Sequence, residues 1–63
     1  MYLSLETIQK AIFFQEENLK RMQTELAIRI ITQQPRERLQ AEIDTVQKII
    51  ALWKEMEQQR QGV

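Results

Sequence analysis

Three pairs of acids lie close together in this 63-residue chain and raise the question of metal binding or proton transfer: Glu16 with Glu17, Glu42 with Asp44, and Glu55 with Glu57. Metal sites in helical bundles need carboxylates that point inward, commonly joined by a histidine one helical turn away. The chain has no His and no Cys, and these acids lie mainly outside the apolar positions, so a solvated charged face is the expected reading. Nucleophilic catalysis lacks its parts as well. The only serine, Ser4, stands where a helix begins, and there is no thiol and no glycine-rich loop to cradle a phosphate. The chain is expected to be a non-enzyme with no cofactor, no metal and no small-molecule substrate.

Arginines offer a second kind of chemistry. Arg29, Arg36 and Arg38 cluster in the middle of the chain, with Lys20 and Arg21 further back, and affinity for nucleic acid is built from such phosphate contacts. Glu25, Glu37 and Glu42 are interleaved with them, and no aromatic residue stands nearby to stack on a base. Nine basic residues balance nine acidic ones, so no overall field draws the chain to nucleic acid or to an anionic membrane. Arg29, Arg36 and Arg38 are therefore weak nucleic-acid candidates, and nucleic acid is not the expected partner.

The elements that must carry these residues are helical. One Gly (Gly62), one Pro (Pro35) and an abundance of Gln, Glu, Lys, Arg, Leu and Ile make an all-α composition. No apolar run approaches the ~18 residues of a membrane span, and residues 1–12 lack the pattern of a signal peptide. A cytoplasmic location with no membrane partner is expected, in line with the missing cysteine.

Ser4 is placed to cap a first helix from Leu5. From there the seam positions are Leu5, Ile8, Ile12, Gln15, Leu19, Met22 and Leu26, in alternating steps of three and four residues that keep one stripe on one face. Gln15 is the polar exception, expected at the seam's edge with its amide reaching water. On the far side Glu6/Lys10, Glu16/Lys20, Glu17/Arg21 and Glu25/Arg29 are spaced to pair, as are Asp44 and Lys48 later. Pro35 has no N–H and its ring clashes with the preceding turn, so an uninterrupted helix through it is disfavoured. Helix 1 is expected over about 5–31, a turn over 32–34, and helix 2 over about 35–58, with Pro35 in its first turn and a frayed tail at 59–63.

Helix 2 repeats the stripe at Leu39, Ile43, Val46, Ile50 and Trp53. Facing residues of an antiparallel pair have sequence numbers of constant sum, and Leu26 with Leu39, Met22 with Ile43, Leu19 with Val46, Gln15 with Ile50 and Ile12 with Trp53 all obey it. The whole chain thus reads as a single antiparallel helical-hairpin domain with the seam Ile8, Ile12, Gln15, Leu19, Met22, Leu26, Leu39, Ile43, Val46 and Ile50.

Two helices bury only the stripe where they meet. Phe13, Phe14, Ile28 and Ile31, with Ile49, Leu52 and Met56, point partly or wholly off it, and Trp53 lies level with the two phenylalanines. Burial of most of these at roughly 1.5–3 kcal/mol each would contribute on the order of 10–20 kcal/mol before ordering and association costs. That is as large as the whole stability of a small domain. The expectation is an oligomer, with a dimer of hairpins forming a four-helix bundle favoured, and a protein partner besides.

In length and hairpin layout the chain is similar to the Rop-type small RNA-binding bundles, a likeness of architecture to which no residue motif is attached. Three functions follow. The first is an adaptor, regulator or assembly factor working through Phe13, Phe14, Ile28, Ile31, Leu52, Trp53 and Met56. The second is a structural oligomerisation piece of a larger, phage-type assembly, and the third a Rop-like RNA- or DNA-binding bundle.

Overall fold

A computed structural model describes residues 3–62. Helix α1 spans Leu5–Ile31 and helix α2 spans Glu37–Gln61, with no strand among the described residues. The two helices pack against each other as a hairpin. Its longest dimension is 48 Å, whereas a continuous rod of the same residues would reach about 85 Å.

Local chemistry sets the start of α1. Ser4 is extended, and its Oγ accepts the Thr7 backbone N–H at 3.2 Å while lying 2.9 Å from the Thr7 hydroxyl. One of the first-turn donors that no helix can satisfy internally thus gains a partner.

The end of α1 is closed without glycine. Gln33 takes the left-handed conformation at φ 57°, its N–H donates to the Ile30 carbonyl at 3.3 Å, and the Gln34 N–H donates to the Arg29 carbonyl at 2.8 Å. These are the two bonds of a Schellman closure, normally built on Gly. Arg29 secures it further by reaching Pro35 O with Nη1 at 3.3 Å while its Nε holds Glu25 at 3.1 Å.

The second helix begins at Glu37 rather than at Pro35, a correction to the sequence expectation. Pro35 lies in the connection, its carbonyl engaged by Arg29, and Arg36 has a non-helical φ of −133° as the N-cap without a side-chain cap bond. The Glu37 carboxylate takes over at the helix start by accepting the Arg36 N–H at 3.2 Å. The far end is corrected too. Instead of fraying from residue 59, α2 runs on to Gln61 and is closed by the Gly62 N–H on the Gln58 carbonyl at 2.8 Å. A run of Glu, Gln and Arg needs no buried face to prefer a helix. Val63, the last residue of the expected tail, lies outside the described residues, as do Met1 and Tyr2.

The core is the stripe between the helices. Ile8, Ile12, Leu39, Ile43 and Ile50 are buried, and Ile8 has no solvent exposure at all. Gln15, Leu19, Met22, Leu26, Val46 and Trp53 are half-buried, so the seam is covered along its middle and open along its margins. Helices in contact along a single stripe leave their flanks in water.

Candidate functional site

The open margins have two different characters, because the helical period sorts the surface into two broad faces. On α2 the steps Thr45, Ile49, Leu52 and Met56 follow one side of the seam. The steps Gln40, Asp44, Gln47, Ala51, Lys54 and Gln58 follow the other. We refer to them as the front and the back face.

The back face is polar and tied across the hairpin. Lys54 Nζ reaches Glu16 Oε2 at 3.5 Å, so Glu16, which the spacing had suggested for Lys20, instead bridges the two helices. Lys20 turns to Glu17 at 3.4 Å. Gln40 donates to Asp44 at 3.1 Å on the same side of α2.

The front face is apolar at the open end and grooved toward the turn. On α2, Leu52 is 61% exposed and Ile49 is about one-third exposed, with Met56 and Trp53 half-buried beside them. On α1, Phe14 sits on the same side at 72% exposure, in step with Ala11 and Asn18. Nearer the turn an open groove of about 550 Å³ runs between Asn18 and Met22 of α1 and Ala41, Thr45 and Val46 of α2, with Arg38 and Glu42 at its rim. The small side chains Asn18, Ala41 and Thr45 make the space.

Other sequence-selected residues fall apart from this face. Phe13 follows Phe14 in the chain but is turned ~100° from it, toward the back face beside Glu16 and Gln9. Both phenylalanines flank the shallow recess around Glu6, Gln9 and Lys10, where Lys10 and Glu6 pair at 3.3 Å. Ile28 and Ile31 are exposed near the turn, Ile31 at 80%. Ile30, not selected from the sequence, is exposed as well. The signal was available in three isoleucines within the four residues 28–31, more than a two-helix stripe absorbs.

Within the arginine cluster, the Arg29 and Arg38 side chains are engaged with their own chain, and Arg36 through its backbone. Arg29 holds Glu25 and the turn, Arg38 lies 3.9 Å from Glu42, and the Arg36 backbone donates to Glu37. Four of the six acids raised as metal or proton-transfer groups are paired within the chain: Glu16 with Lys54, Glu17 with Lys20, Glu42 with Arg38, and Asp44 with Gln40. The Glu37 carboxyl is held below its ordinary value of 4.5, first by its own backbone N–H and then by that of Arg36. Its place at the first turn of α2 makes this helix-capping chemistry. Among the described residues no helix is long and apolar enough to cross a membrane.

No protein family, curated protein or solved structure matches the chain.

Proposed function

We propose that this chain is a small non-enzymatic protein–protein interaction module that works as a homodimer, two hairpins closing into a four-helix bundle, and serves as an adaptor, regulator or assembly factor. One observation carries the reading. The chain leaves 5203 Å² accessible, whereas a compact monomer of 7.6 kDa is expected to leave about 4300 Å². The excess of about 900 Å² is close to the ~800 Å² that each partner buries in a stable interface. The exposed surface includes large apolar side chains such as Phe14 and Leu52, which polar solvent does not favour.

Shape supports the same reading. The radius of gyration is 14.6 Å against about 11 Å for a compact domain of this length, an elongation that leaves room for a second body alongside. Zero net charge removes any general repulsion between copies. Light scattering of the purified chain at micromolar concentration tests the proposal. A mass of twice 7.6 kDa is expected, and a folded monomer overturns it.

A further inference from the structure

The front face bears apolar knobs at one end and a groove at the other, which makes it complementary to itself when reversed. We propose that the second copy docks on this face with its turn at the opposite end, so that Leu52 and Met56 of each hairpin enter the groove beside Ala41 and Thr45 of the other. The inference rests on the homodimer reading and concerns the arrangement of the two copies.

Distances along the hairpin carry it. At ~1.5 Å per residue from the turn, Met22, Ala41 and Thr45 lie roughly 10–20 Å out, and Ile49, Leu52, Phe14 and Met56 roughly 20–35 Å out. The arm is about 40 Å long. A two-fold axis crossing it at mid-length, level with Asn18, exchanges these two ranges, and brings the apolar knobs of one copy level with the groove of the other. An axis along the length instead sets knob against knob and leaves two open grooves facing each other, with the lining of each short of packing partners. Charge is compatible with the reversed arrangement. Arg38 and Glu42 already pair at the groove's rim, and the knobs that meet them are uncharged. The back face carries exposed Phe13 on α1, but it is crossed by the Glu16–Lys54 pair and lined on α2 by amides and charges, so it offers less apolar surface to a second copy.

The chain has no cysteine, so a spin label on Gln34→Cys, exposed at the turn, reports the arrangement directly once light scattering has given the mass. A dimer whose turns are roughly 40 Å apart is the expected result. A dimer whose turns lie within about 20 Å, two helix diameters, overturns the arrangement and leaves the dimer reading standing. A monomer overturns both. As a second test, Ala41→Trp fills the groove from within without entering the hairpin seam. It is expected to weaken dimerisation at least about tenfold while circular dichroism stays helical, and undiminished dimerisation by a helical variant refutes the knob-in-groove contact.

Discussion

Gln33 carries a left-handed backbone at φ 57°, a conformation that costs a residue with a Cβ roughly 1–2 kcal/mol. The Schellman bonds and the Arg29 contact to Pro35 hold it there. Glycine removes that strain but gives up unfolded-state restriction in return, so Gln33→Gly is expected to raise stability by about 0.5–1 kcal/mol in urea unfolding. A fall would show that the glutamine side chain contributes more than its backbone costs. Glu37 makes the second prediction at this scale. Its folded pKa lies below its unfolded one, so its stabilising effect is present above about pH 4.5 and is lost as pH falls through the lower, folded value. Glu37→Gln is therefore expected to lessen the loss of stability between pH 7 and pH 3. Identical acid slopes for variant and wild type in urea titrations would place the acid sensitivity elsewhere.

At the scale of the helix, the seam is where the chain has least to spare. Ile43 is almost wholly buried, and Ile43→Ala is expected to cost about 2–5 kcal/mol through lost burial and a cavity, which for a chain this small leaves little folded at 37 °C. Phe13→Ala, on an exposed side chain, is expected to stay within about 0.5 kcal/mol in the same thermal melts. The place of Ile43 in the seam was legible from sequence, because the three-and-four spacing from Leu5 to Leu26 and from Leu39 to Trp53 has only one helical meaning, whereas Phe13 reads there as an interface residue. The Ser4 cap was legible for a related reason: its partner is three residues away. The start of α2 was less so. Proline's preference for a first turn is real, but the left-handed Gln33 and the Arg29 contact decide the path of the chain, and neither leaves a mark like a glycine. Faces were harder still. Phe13 and Phe14 look like one aromatic patch in sequence, and only helical rotation separates the front from the back.

For the molecule as a whole, the proposed dimer would link stability to concentration. If folding and association are coupled, the melting temperature is expected to rise with protein concentration across a micromolar series. A constant melting temperature would mean that each hairpin folds without its partner's help. The Glu16–Lys54 pair then acquires a role beyond the weak stabilisation of a solvent-screened ion pair. A body with one adhesive side stops growing at two copies, whereas a body adhesive on both sides adds copies without end. If the proposed dimer forms through the front face, this bridge would help to keep the back of the hairpin wet and charged and so oppose further growth. Replacing both partners with leucine is expected to convert a closed pair into open-ended chains that sediment at low speed.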